Sequence, residues 1–120
     1  MPTVIRGSDN IDTSNVATQT ELDVVDGQLL GVGQTWQNVT GSRVATTIYT
    51  NTTGRPIYVA VYTIGSSTNP NYLNVNGIAV GVMGLNTALN AVGCSAIVPI
   101  GGTYSVTLIN GSIAMWAELR

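Results

Sequence analysis

At 120 residues, with no histidine, no lysine and a formal charge of −2, the chain has the length of one domain and very few titratable groups. Every acidic side chain except Glu118 falls within residues 9–26, and no residue between Pro56 and Ala117 is charged. This excludes a histidine-dependent catalytic triad and a histidine/cysteine metal centre. It also excludes nucleic-acid binding by phosphate neutralisation, which needs several Lys or Arg on one face.

From the N-terminus onward, the first nine residues hold no apolar run, so no secretory signal is expected. Residues 18–21, Thr-Gln-Thr-Glu, form a capping-box pattern in which a threonine hydroxyl takes the N3 amide and the glutamate reaches back. Asp23 in the first turn suits the helix dipole, and the helix is expected to run through Val25 and stop at Gly27. So short a helix is marginal alone and needs a surface to pack on. It is expected either as one helical turn in an extended arm or as a small oligomerising stalk. The acidic composition ends near Gly31–Gly33, dividing the chain into an arm or docking segment, 1–33, and a second domain, 34–120.

From Gln34 the pattern changes to short runs rich in Val, Ile, Thr and Tyr, and strands are expected at 35–40, 43–50, 56–64, 72–75, 78–83, 96–99, 103–109 and 112–119. Asn76-Gly77 and Asn110-Gly111 read as type I′ hairpin turns, Gly101-Gly102 as another sharp turn, and Thr53-Gly54 as closing the second strand onto the third. This predicts an all-β fold, an antiparallel β-sandwich that is jelly-roll-like, preceded by the short arm. Tyr104, Val106 and Leu108 alternate with Ser105 and Thr107, giving one wet face. Residues 57–62 are apolar on both faces, and so are 113–119, where Ile113, Met115, Ala117 and Leu119 alternate with Ala114 and Trp116. Such strands need cover on both sides, from the core and from a neighbouring subunit, a loop or the arm. The longest apolar stretch, 78–85, is broken by Gly81 and Gly84 and falls far short of the ~20 residues that span a bilayer, so no membrane insertion is expected.

No catalytic, metal-binding or cofactor-binding constellation emerges, and an enzyme is not expected. Cys94 reads as a small core residue, and the three N-x-S/T sequons, at Asn38, Asn51 and Asn110, read as chance. What remains is a neutral binding surface. Asn69, Asn71 and Tyr72 in one loop, with Asn86 and Asn90 in the next, combine amides with a flat ring and suit a sugar.

Residues 33–43 (Gly-Gln-Thr-Trp-Gln-Asn-Val-Thr-Gly-Ser-Arg), 49–57 (Tyr-Thr-Asn-Thr-Thr-Gly-Arg-Pro-Ile), 98–104 (Val-Pro-Ile-Gly-Gly-Thr-Tyr) and 116–120 (Trp-Ala-Glu-Leu-Arg) form a set. Together they resemble the C-terminal domain of many tailed-bacteriophage tail-fibre and tail-tip proteins. Residues 16–23 resemble the helical repeats that precede such domains. The resemblance implies a non-enzymatic, trimeric β-sandwich on a virion, made in the host cytoplasm, touching a host-surface glycan or protein and joined to other virion proteins through residues 1–33. It also implies scaffold roles for the motif residues: Trp36 and Trp116 as packing anchors, and Arg43, Arg55 and Glu118 as a partly buried ion-pair or hydrogen-bond set. A capsid decoration or head-fibre protein and a stand-alone lectin-like module are the rival expectations.

Overall fold

Chain reversal at Asn76-Gly77 organises the fold. In the computed structural model, which describes residues 16–64, 69–84 and 91–120, these two residues have φ of 52° and 77°, the double positive φ of a type I′ turn. They join β4 (Asn71–Val75) to β5 (Ile78–Met83). Outward from this hairpin the pairings nest: β3 (Ile57–Ile64) with β6 (Ala91–Val98), β2 (Tyr49–Thr50) with β7 (Thr103–Thr107), and β1 (Trp36–Asn38) with β8 (Ser112–Leu119). Rolling that long hairpin adds the pairs β3–β8 and β4–β7. The result is two antiparallel four-stranded sheets, sheet A in the order β1-β8-β3-β6 and sheet B in the order β2-β7-β4-β5. This is the jelly-roll arrangement of an all-β sandwich.

The described part of the arm contains helix α1 (Gln19–Gln28). The capping box forms as expected: Thr18 Oγ1 accepts from the Glu21 amide at 3.1 Å, and Glu21 Oε2 accepts from the Thr18 amide at 2.8 Å. The helix ends one residue beyond Gly27, and none of its residues is buried.

Four sequence expectations change. The segment 43–50 is a strand only at Tyr49–Thr50, because a 3₁₀ turn at Thr40–Ser42 and Thr46 at φ 68° bend the chain first. The strand expected at 96–99 starts at Ala91, since all eight of its residues pair with the long β3 despite the weak strand formers Gly93 and Ser95. Asn110-Gly111 is not a I′ hairpin: only Gly111 has positive φ, and the segment carries the chain from sheet B to sheet A. Likewise the turn at Thr53-Gly54 links the sheets rather than closing β2 onto β3, whereas Gly101-Gly102 forms the sharp turn expected, with Gly101 at φ 71° and the Gly102 amide donating to the Pro99 carbonyl at 2.9 Å.

The core lies between the sheets. Ile57, Val59 and Val61 of β3 meet Leu73 and Val75 of β4 and Val106 of β7, with Met83 and Val98 closing the far side. Trp116 is fully buried, its ring 5.8 Å from Tyr49 and 6.3 Å from Tyr104. A β-bulge at Ala114 reverses the facing of β8: Ile113 opposes Thr63 and packs inward, whereas Met115 opposes Tyr62 and faces out. Ile113, Met115, Ala117 and Leu119 therefore do not share a face.

Replacing Trp116 by Ala should cost about 3–5 kcal/mol in a denaturant melt. The lower part of that range is expected, because the indole Nε1 has no hydrogen-bond partner among the described residues and its loss removes an unsatisfied buried donor. A change within ~0.5 kcal/mol would reject the packing role.

Candidate functional site

Strand β8 carries Trp116 and Glu118 inward, and the Glu118 side chain is fully buried. A carboxylate taken out of water needs partners, and three converge on it. Arg43 grips it with both ends of its fork, Nε to Oε1 at 2.8 Å and Nη2 to Oε2 at 3.0 Å. The Tyr104 hydroxyl, from sheet B, donates to Oε1 at 2.9 Å, and Arg120 Nη1 donates to Oε2 at 3.0 Å. Arg43 also lies 4.6 Å above the Tyr49 ring. Burial is the largest influence on Glu118 and pushes its carboxyl up. The hydrogen bonds from Arg43, Tyr104 and Arg120 and the charge of Arg43 together outweigh it, so the carboxyl titrates below the ordinary glutamate range. Burial, then the Glu118 charge, pushes Tyr104 up to about 12. A polar hollow of about 170 Å³ beside the cluster is lined by Arg43, Asn51, Thr53, Tyr104 and Arg120. Both guanidiniums already serve Glu118, which leaves its carboxylate oxygens fully partnered.

The expected ion-pair set is thus corrected in one member. Arg55 does not reach Glu118; its Nε donates to the Gly27 carbonyl at 2.6 Å and its Nη2 to that of Asp26, closing the C-terminal end of α1 where a cation is favoured. Arg120 takes its place. Trp36 is not a core anchor either: it is 53% exposed on the outer face of β1, edge-on to Tyr58 at 5.8 Å. Among the motif residues Asn51 was passed over in the sequence, where it read only as a chance sequon. It is 2% exposed, and its Nδ2 donates to the carbonyls of Arg55, Val98 and Pro99. It ties the β2–β3 turn to the β6–β7 turn.

The two outer faces differ in chemistry. Sheet B presents Thr103, Ser105 and Thr107 beside Tyr72 and Asn74, with Asn74 Nδ2 donating to Thr107 Oγ1 at 2.8 Å. Sheet A presents three rows. Trp36, Leu119, Tyr58 and Ile97 form one; Asn38, Ala117, Ala60 and Ser95 the next; Met115, Tyr62 and Gly93 the third. The middle row is small and the outer rows are large, so a hollow of about 400 Å³ runs across the strands, lined by Trp36, Gln37, Asn38, Ala60, Tyr62, Met115 and Ala117.

Of the loop residues expected to contact a sugar, Asn71 is corrected. It is 3% exposed, donates to Thr63 Oγ1 and the Asn110 carbonyl, and accepts from the amides of Ile109 and Asn110. One donor ties β4 to Thr63 of β3, and the remaining bonds hold it against the β7–β8 link. Asn69 is exposed, and its carbonyl accepts from Asn110 Nδ2 at 2.7 Å. Tyr72 is half-buried on sheet B, across from Thr107 and Val82, and Tyr62 is on sheet A, so the two tyrosines face opposite ways. Asn86 and Asn90 lie outside the described residues. Cys94 is half-buried, and burial pushes its thiol up, which suits a packing residue more than a nucleophile.

Glu118→Gln leaves Arg43 half-paired in a buried setting and should cost about 3–5 kcal/mol. Because the folded carboxyl titrates below its unfolded value of about 4.3, its stabilisation is complete above that value. It is lost as pH falls through the lower folded value, and the Gln variant should lack this acid-sensitive component in melts across pH 2–6. At the alkaline end, the raised Tyr104 value means that its contribution holds below about 10 and disappears as pH rises to about 12. Separately, a Cβ at Gly93 would stand 2.5 Å from two Tyr62 ring carbons, so Gly93→Ala should cost about 1–3 kcal/mol, and much less in a Tyr62→Ser background. Equal costs in both backgrounds would show that the ring is not seated there. Compared with family models, curated proteins and solved structures, the chain matches none.

Proposed function

We propose that the chain is a virion structural protein of the tail-fibre or tail-tip type, a homotrimer joined through its N-terminal arm that presents its sandwiches to the host surface. The observation that carries this is α1. It is a capped helix of ten residues with nothing buried, and a helix of that length is marginal in water without a packing partner. Leu22 and Val25 stand at the i, i+3 spacing of a coiled-coil seam, and Leu29, the extended C-cap residue, adds a third apolar side chain just past the helix; each is about half-exposed at 48–52%. Further copies of α1 are the natural cover. Arg55 fastens the end of the helix to the sandwich, so a bundle of arms would hold the sandwiches side by side.

Two further points support the reading. The resemblance of the motif residues to tail-fibre domains is one. The other is the jelly-roll order, which recurs in viral capsid and lectin domains; this is an analogy of fold and not of site. In such an assembly three weak contacts act together, and avidity lifts the affinity far above that of one. The arm would also meet the rest of the particle.

Light scattering on a sizing column should give three times the 12.5 kDa chain mass. A Leu22→Asp/Leu29→Asp variant should fall to one chain mass while keeping the strand signal in circular dichroism. A wild-type chain at the monomer mass would overturn the assembly. For the role itself, tagged trimer should bind intact bacterial cells and compete with phage adsorption. Binding to empty capsids alone would instead assign it to the head.

A further inference from the structure

We infer that the hollow across the outer face of sheet A is a binding site for a neutral saccharide. This deepens the attachment role proposed above and rests on it. The site was not visible in the loops, because it is assembled from β1, β8 and β3. Ala117 and Ala60 pair across β8 and β3 and form the floor. Asn38 stands at one end of that row and Ser95 at the other. Trp36 lines it on one side, Met115 and Tyr62 on the other. With strands ~4.8 Å apart, a floor crossing three of them is about 10 Å long. The volume of about 400 Å³ falls within the range of small-ligand sites.

The lining selects the ligand class. No charged side chain stands in any of the three rows, so a charged ligand would lose its hydration with nothing to replace it. A pure hydrocarbon fits poorly as well. Asn38 Oδ1 is taken by Thr40, but Asn38 Nδ2, the Trp36 Nε1 and the Tyr62 hydroxyl have no partner among the described residues, and an oily ligand would leave them dry and unpaired. A sugar ring satisfies both demands: its C–H faces lie on alanine and the aromatic walls, and its hydroxyls meet the amide and phenol at the rim. A second copy of the flat sheet is the competing occupant, but a flat partner would bridge the walls and leave the alanine floor unfilled, and voids of that kind are costly.

The walls are held before any ligand arrives. Gly93 makes room for the Tyr62 ring to lie across β6, where any Cβ would collide with it. The Tyr58 hydroxyl is bonded to Ser95 Oγ at 2.6 Å, and Trp36 rests edge-on against the Tyr58 ring. Such preorganisation lowers the ordering cost of binding.

The test uses the full chain, titrated with galactose, glucose, N-acetylglucosamine and their common neutral disaccharides, while the two indole N–H resonances are followed by NMR. The expected result is a saturable shift of Trp36 with at least one sugar, at a dissociation constant on the order of millimolar, and no shift of buried Trp116. Ala60→Ile fills the floor from the solvent side; it should weaken that binding at least tenfold and leave the melting temperature and the assembly mass unchanged. No Trp36 shift with any sugar overturns the inference, as does undiminished binding by Ala60→Ile. A fall in assembly mass on Ala60→Ile also overturns it, since a second copy would then cover the face. A trimer that binds no sugar defeats this inference alone; a monomer that binds sugar defeats the proposed assembly alone.

Discussion

A single buried carboxylate dictates much of the rest. Glu118 sits in the inner face of sheet A with no access to water, and it can stay ionised there only if every oxygen lone pair is met. The partners come from three places: Tyr104 from sheet B, Arg43 from the segment between β1 and β2, and Arg120 from just beyond β8. Satisfying one charge therefore clamps the two sheets and anchors the irregular stretch that follows β1. Two of the three arginines among the described residues are committed to it, and the third is committed to the end of α1.

With the cations so occupied, the outer surfaces of the sandwich are left to neutral chemistry, and the two sheets use it differently. Sheet B turns outward Ser105 and Thr107, both hydrogen-bonded to Asn74, beside Tyr72 and Val82. Sheet A keeps aromatic and aliphatic side chains outward around an alanine floor. Strands that are apolar on both sides usually signal burial on both sides. Here one side is the core, and no described residue of the arm or loops packs as cover on the other. That asymmetry, with the unburied helix, is the physical ground on which the proposed assembly and surface binding rest.

The sequence was most legible where physics is local. The capping box at Thr18 and Glu21 needs only residues three apart, and it forms as written. Asn76-Gly77 needs only the tolerance of those two residues for positive φ. Eight strands were anticipated near where they lie, because alternation and turn residues are short-range signals. The errors share a cause. Asn110-Gly111 marks a reversal, yet nothing in the dipeptide says whether the next strand pairs beside the last or crosses to the other sheet. The bulge at Ala114 adds one residue and so exchanges the two faces of β8, which no alternation count can anticipate. Arg55 and Arg120 are equivalent cations by type, and only their positions in the fold decide which reaches Glu118.

By itself, then, the sequence determined the class of fold, the start of the helix, the central hairpin and the poverty of ionisable groups, since each depends on residue type and near neighbours. Tertiary structure decided the nested strand order, the inward turn of Glu118, the outward placement of Trp36, and the hollow on sheet A. The residues of that hollow span from Trp36 to Ala117 along the chain, and they become neighbours only after the long hairpin has rolled. Which side chains meet across a sheet is set by register, and register is fixed by the whole core at once.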